Sequence, residues 1–281
     1  MKFAFFGTPY VARDTLTALA ERGYTPAVVI TNPDAPKGRG HVLTPSETKV
    51  WALEHNIPVL TPATLDDAAR DEIVSYGCEF AVVVAYGKIL PESLINAFPK
   101  GVYNVHYSLL PKHRGASPVE TALLHDETET GVTIQRMVKR LDAGDVVAAR
   151  TESILPSDTT GTLRARLIEG GAKLLIETIL LIDAGKTSPV PQDEANATYA
   201  SKLTKENGLL DLAAPARENW NKYRAYSEWP GTYLFAERNG ERTRIKITKA
   251  EYTPEGEFKI RRVITEGKKE MDYDAYLRSA R

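Results

Sequence analysis

Apolar runs of strand length alternate with helix-period segments through the first half of the chain. KFAFF (2–6) breaks at Gly7-Thr8-Pro9, where Thr8 can cap a helix and Pro9 suits its first position. Ala12, Leu16 and Leu19 then recur at i, i+4 and i+7, and Gly23 supplies a stop. PAVVI (26–30), PVL (58–60), FAVVVAY (80–86) and GVYNVHY (101–107) read as further strands, with helical stretches around 47–55 and 65–76 between them. The VVI and VVV runs are apolar on both faces, as parallel strands covered by helices are. The pattern predicts an α/β fold with a doubly wound, mostly parallel sheet and crossover helices.

Beyond the alternating region the pattern changes. GVTIQRMV (131–138) and VVAARTESI (146–154) flank the tight LDAGD loop, which predicts an antiparallel hairpin added to the sheet. A long helix is expected from about Thr159 to Ile182, with Leu163, Leu167 and Leu174 among its apolar positions. DAGKTSPVPQDEANA (183–197) is rich in Pro, Gly and small polar residues and reads as connecting chain. This divides the sequence into a first domain over 1–185, a linker over 186–205 and a second domain over 206–281. The last begins with a helix on which Ala216, Trp220 and Tyr223 share a face, and continues through the short strands TYLFAE, RTRIKITK and EFKIRRVI.

Charge narrows the partners. Lys and Arg total 36 against 37 Asp and Glu, so no global basic field announces nucleic acid, and any such partner must be met locally. From Glu206 onward there are 15 basic residues against 13 acidic ones, a weak asymmetry. Its pattern is more informative. Alternation in RTRIKITK puts Arg242, Arg244 and Lys246 on one face and Ile245 and Ile247 on the other, so one face packs and the other is either solvated or tracks a phosphate backbone. The single Cys78, within CEFAVVVAY, excludes a disulfide framework and fits a reducing compartment as a packing residue. The N-terminal apolar run is too short for a signal peptide and no segment is apolar enough to span a bilayer, so a cytoplasmic location is expected. The five histidines show no close-spaced ligand pattern, so no metal is expected, and no GxGxxG follows the first strand to suggest a dinucleotide.

NVHYSLLPKHRG (104–115) carries the candidate chemistry. Val102, Asn104 and His106 point to one face of a strand, so an amide and an imidazole converge near its carboxyl end, where open α/β sheets bind ligands. Amide and imidazolium N–H groups can both donate to a developing oxyanion, which suits acyl transfer. Asp142 in LDAGD is the candidate carboxylate to hold the imidazolium and take up a proton. The same residues also fit a strand end closed by two polar groups and a turn nucleated by an aspartate.

NVHYSLLPKHRGASP, TGVTI and LDAGDVV together resemble the formyltransferase family that uses 10-formyltetrahydrofolate. FFGTP, TNPDAPKGRG (31–40), PVLTP (58–62), VVAYGKILP (83–91), WPGTY (229–233) and GKKEMDYDAYL extend the resemblance over nearly the whole chain, and point to the branch acting on aminoacyl-tRNA. The resemblance implies a Rossmann-like first domain and a small OB-like β domain. It also implies formyl transfer from 10-formyltetrahydrofolate to the α-amine of initiator methionyl-tRNA, as in translation initiation. Asn104, His106 and Asp142 match the family's catalytic set. Tyr86, Gly87, Ile89 and Leu90 would form one wall of the folate site, and Ser108, Leu109, Leu110 and Pro111 the other. The loop at 32–45 would enter the acceptor stem through Arg39, assisted by Lys37 at phosphates, while Arg242, Arg244 and Lys246 would face tRNA from the second domain. A monomer without metal is expected.

Three features depart from the family. AEYTPEGEFKI (250–260) crosses in one short turn a region where the family runs further strands, Lys139 and Arg140 stand where acidic or small residues are common, and Val11 replaces an aromatic residue. A sugar-amine N-formyltransferase and a catalytically silent RNA-binding protein are the alternatives. The GRG loop and the second domain weigh against the first, and the intact Asn-His-Asp set against the second.

Overall fold

Strand β1 (Phe3–Gly7) is buried along its whole length in the interior of the first sheet. The computed structural model describes residues 1–38, 40–238 and 241–279, the side chains of 238 and 241 excepted. After β1 come α1 (Tyr10–Ala20), β2 (Val28–Ile30), a short hairpin of β3 (Ala35–Lys37) and β4 (Val42–Thr44), α2 (Glu47–Glu54), β5 (Val59–Leu60) and α3 (Asp67–Ser75). Then follow β6 (Phe80–Val84), α4 (Glu92–Ile95), β7 (Val102–His106), β8 (Arg114–Gly115), α5 (Pro118–Leu124), β9 (Glu129–Arg136), β10 (Val146–Ser153) and α6 (Thr160–Asp183). The remainder holds β11 (Tyr199–Ala200), α7 (Ala216–Ala225), β12 (Thr232–Arg238), β13 (Glu241–Tyr252), β14 (Phe258–Thr265), β15 (Met271–Asp272) and α8 (Tyr273–Ser279).

The main sheet runs β10-β9-β7-β6-β1-β2-β5. β7, β6, β1, β2 and β5 are mutually parallel, and β9 joins antiparallel to β7, with Asn104 opposite Gln135 and His106 opposite Thr133. The expected α/β class with a doubly wound, mostly parallel sheet is thus the observed one. Helix starts follow local chemistry: Ser46 accepts from the Lys49 amide (3.0 Å) to begin α2, and Asp66 accepts from the Ala69 amide (3.0 Å) to begin α3. Thr8 behaves otherwise than expected. Pro9 occupies the N-cap of α1 with no side-chain cap, and the Thr8 hydroxyl donates instead to the Tyr86 carbonyl (3.0 Å). That carbonyl also accepts from Asn32 Nδ2 (3.1 Å), which ties the chain leaving β1, β2 and β6 together. Gly7 is required there, because a Cβ would stand 2.5 Å from the Ala12 Cβ and 3.0 Å from the Val84 carbonyl.

Two compact units emerge from the chain's contacts. The first comprises Met1–Arg114, Gly131–Glu152 and Arg166–Tyr199; the second Gly115–Thr130, Ser153–Ala165 and Ala200 onward. They divide the chain differently from the succession expected along the sequence, and side-chain bonds show why. Within the second unit, Thr160 Oγ1 donates to the Ala225 carbonyl (2.6 Å), and Arg164 bonds both Glu120 and Glu228. Arg217 bonds Asp126 in a two-pronged contact (2.9 and 2.6 Å), and buried Arg224 reaches the same carboxylate (3.2 Å). Arg217 beside it holds the Asp126 carboxyl below its ordinary range, while burial pulls the Arg224 guanidinium down. The stretch read as linker is likewise bonded to the first unit up to Tyr199. Val190 exchanges both backbone hydrogen bonds with Val146 (2.8 Å each).

The second unit's sheet is an antiparallel meander in the order β12-β13-β14-β15. Leu234, Ile245, Ile247 and Val263 pack beneath it with Leu210 and Tyr276. The expected short turn joins β13 to β14 and is closed by the Thr253 amide on the Glu257 carbonyl (2.9 Å). No helix among the described residues is long and apolar enough to cross a membrane.

Phe6 stands edge-on to Tyr86 (5.4 Å between ring centroids) and Phe98 (6.4 Å) in the core of the first unit. Phe6→Ala is expected to cost about 3–5 kcal/mol of stability, read as a lowered denaturation midpoint for the first unit.

Candidate active site

β7 delivers Asn104 and His106 from one face, as its two-residue period requires. His106 is buried, and its Nε2 lies 2.9 Å from the His113 carbonyl. A carbonyl only accepts, so Nε2 carries a hydrogen and Nδ1 is the nitrogen left to gain or lose a proton. Nδ1 faces Asp142 Oδ2 at 3.7 Å. Asn104 Nδ2 donates to the other carboxylate oxygen, Oδ1, at 3.3 Å. The three residues selected from the sequence therefore meet at one carboxylate.

The turn carrying Asp142 has its own supports. Asp142 adopts φ 46°, a left-handed conformation that aspartate tolerates better than most residues. Gln135, buried on β9, donates from Nε2 to Asp142 Oδ1 (2.8 Å) and accepts the Gly144 amide on Oε1 (3.2 Å). Sequence reasoning missed Gln135. The alternation that places Asn104 inward also places its antiparallel neighbour there, but register across β7 and β9 is a tertiary fact. At Gly144 a Cβ would fall 1.7 Å from the Arg136 carbonyl, so only glycine lets the loop return against β9.

Beside Asp142 lies a cavity of about 160 Å³ lined by Lys88, Ile89, Leu90, Gln135, Met137, Val138, Lys139, Arg140, Leu141 and Asp142. Ile89 is 84% exposed and Leu141 62%, an unusual display for large aliphatic side chains. Of the expected folate wall, Ile89 and Leu90 line this cleft, and Gly87 stands at φ 83° where the chain turns out of β6. Tyr86 does not line it. Its ring packs in the core against Phe6, its hydroxyl has no hydrogen-bond partner among the described residues, and burial raises its pKa to about 12. The other side of this cavity is built by residues 137–142, and Ser108, Leu109, Leu110 and Pro111 do not line it. Those four form a turn pinned to β9, where Thr133 Oγ1 donates to the Ser108 carbonyl (2.7 Å) and accepts from the Leu110 amide (3.1 Å).

The basic candidates occupy separate places. In the first unit Lys37 lies on β3 and pairs with Glu47 (2.9 Å), both exposed; Arg39 falls outside the described residues. In the second unit Arg242, Arg244 and Lys246 share the solvent face of β13. The Arg244 guanidinium lies 3.8 Å over the Tyr233 ring and that of Arg242 3.9 Å over Phe235. Ile245 and Ile247 fill the opposite, buried face, so the expected alternation is realised.

An amide and an imidazole converging on a carboxylate, at the carboxyl end of a parallel strand and beside an apolar cleft, form a site suited to acyl transfer. Residues 1–179 match the family described as formyl transferase, and residues 202–259 the formyl transferase C-terminal domain; the chain belongs to the formyl transferase family. Members of that family use formyl-tetrahydrofolate. Among curated proteins, the chain is similar to a methionyl-tRNA formyltransferase of Heliobacterium modesticaldum, 43% identical over 237 residues (84% of this chain, 75% of that protein). A methionyl-tRNA formyltransferase of Symbiobacterium thermophilum is 41% identical over 261 residues (92% and 78%). Among solved structures, an N-formyltransferase from Helicobacter canadensis in complex with folinic acid and dTDP-3-aminofucose superposes with a TM-score of 0.67, covering 90% of this chain and 88% of that one. At 21% identity that likeness concerns the fold.

Gly144→Ala must push the Asp142 turn away from β9. Formyl transfer is expected to fall by about 100-fold with the protein still folded, checked by initial rates alongside circular dichroism.

Proposed function

We propose that this chain transfers a formyl group from 10-formyltetrahydrofolate to the α-amine of methionyl initiator tRNA, the step that prepares the initiating amino acid for translation. The observation that carries the reading is the convergence of Asn104 and His106 on Asp142 at the edge of an apolar cleft. Similarity to methionyl-tRNA formyltransferases over 84–92% of the chain supports the acceptor.

The residues around the cleft fit a folate donor. Leu90, Met137 and Leu141 offer aliphatic walls to a flat heterocycle, and Lys88, Lys139 and Arg140 put positive charge at the rim, where a glutamate tail would be met. When bound, the donor supplies an activated formyl carbonyl. Every other task falls to the chain's own groups. Asn104 Nδ2 keeps one hydrogen with no acceptor among the described residues, and His106 Nδ1, when protonated, offers a second donor. Attack by an amine on the formyl carbon makes an oxyanion of its oxygen, and these two groups are the donors for it. Asp142 orients the imidazolium and accepts the proton that the attacking amine must lose; collapse of the adduct would break the bond between the formyl carbon and the donor nitrogen, which would take up that proton and leave as tetrahydrofolate. Because Nε2 is committed to the His113 carbonyl, Nδ1 is the ring nitrogen that can donate to the oxyanion.

Acceptor recognition is assigned to the basic groups. Lys37 and Arg39 belong to the connection that meets the acceptor end of the tRNA, and Arg242, Arg244 and Lys246 to phosphates elsewhere on it. Rings beneath the two guanidinium groups hold them flat and raised from the sheet, which suits contact with a backbone or a base face.

Asn104→Ala is expected to lower turnover by about 100- to 1,000-fold, the usual loss for one oxyanion donor. The decisive assay supplies 10-formyltetrahydrofolate with methionyl initiator tRNA, methionyl elongator tRNA or an amino-sugar nucleotide. Formylation of the initiator alone, abolished by His106→Ala, is the expected result; formylation of the amino sugar alone would overturn the assignment of the acceptor and of the basic groups.

A further inference from the structure

We propose that Gln192, in the stretch that sequence composition presents as linker, is a positioning residue for Asp142. The proposal rests on Asp142 handling the proton in the reaction above. Gln192 donates from Nε2 to two backbone carbonyls of the LDAGD turn, those of Asp142 (2.9 Å) and Gly144 (2.6 Å). Its Oε1 accepts from Arg114 twice, from Nε (3.0 Å) and Nη2 (2.7 Å). Both amide hydrogens meet carbonyls and the amide oxygen meets a guanidinium, so chemistry admits only one orientation of the group. The residue cannot rotate without losing bonds at both ends.

Arg114 is the fixed end of the chain of contacts. It is 1% exposed and completes its fork on Glu194 (2.9 and 3.1 Å). Glu194 also accepts from Arg140, which lines the cleft. Pairing with Arg114 holds the Glu194 carboxyl below its ordinary range. The turn needs such support. Asp142 sits at φ 46°, a left-handed conformation that a residue other than glycine holds only where its surroundings fix it. Gln135 fixes the carboxylate and the Gly144 amide from one side; Gln192 fixes the carbonyls from the other. Released carbonyls would let the turn rotate, and the 3.7 Å approach of Asp142 to His106 Nδ1 would be the first contact to change.

Gln192→Glu separates positioning from anchoring. It keeps the oxygen that Arg114 binds and replaces the donor with a second oxygen, facing two carbonyls. The expected result is a kcat lowered by about 10- to 100-fold, with KM for both substrates and the thermal midpoint little changed, and with a displaced pH profile of kcat because the carboxylate beside His106 has moved. Should that variant not fold, Gln192→Met removes both hydrogen-bonding ends without adding charge; its kcat and pH profile carry the same expectation, while its thermal midpoint is expected to fall because buried Arg114 loses an acceptor. A kcat within about twofold of the parent, or a fall with an unmoved pH profile, would overturn the proposal and leave Gln192 as an anchor for residues 190–199. Asp142→Asn run in parallel tells the two failures apart. If it retains full activity, the role of Asp142 fails and the proposal with it; if it is inactive while Gln192→Glu is normal, only the proposal fails.

Discussion

A carboxylate largely withdrawn from water must be given fixed donors, and the first unit is organised around satisfying that demand at Asp142. Its side chain takes hydrogen bonds from Asn104 and Gln135 and faces His106, while its carbonyl is held by Gln192. These partners come from β7, β9 and the chain after α6, so the carboxylate is satisfied only once the sheet has assembled in register. Gly144 and the left-handed backbone at Asp142 belong to the same requirement: a turn this tight brings the carbonyls of 142 and 144 to one amide group.

Charge is distributed with comparable economy. A net charge of −1 gives the chain no long-range attraction for nucleic acid, so recognition of a polyanion has to be concentrated. β13 gathers basic groups on one side by alternation, burying Ile245 and Ile247 beneath Arg244 and Lys246. Tyr233 and Phe235 on β12 then convert two flexible guanidinium groups into stacked, oriented ones.

The sequence revealed what local pattern can reveal. Apolar runs located the parallel strands, LDAGD located the hairpin turn, and two-residue alternation brought Asn104 and His106 to one face. It did not reveal contacts that depend on register or on distant chain. Gln135 lies opposite Asn104 only because of how β9 pairs, and Gln192 reads as part of a Pro- and Asp-rich connection until Arg114 is seen to hold it. Thr8 looked like a helix cap because its neighbours were right for one, yet a carbonyl 78 residues away competed for its hydroxyl and won. Tyr86, assigned to the folate wall by resemblance, turns its ring into the core against Phe6, a contact that local pattern does not display. The alternation of Arg242, Arg244 and Lys246 was visible; the rings beneath the arginines were not, because they come from the neighbouring strand.

The exposed aliphatic rim of the cleft has a thermodynamic consequence. Ile89 and Leu141 hold hydration shells that a flat ligand entering the cleft would release. Removing apolar surface from water lowers heat capacity, so association here carries a negative heat-capacity change. Its enthalpy therefore grows more favourable on warming while its entropy grows less so, and the affinity varies far less with temperature than either component alone.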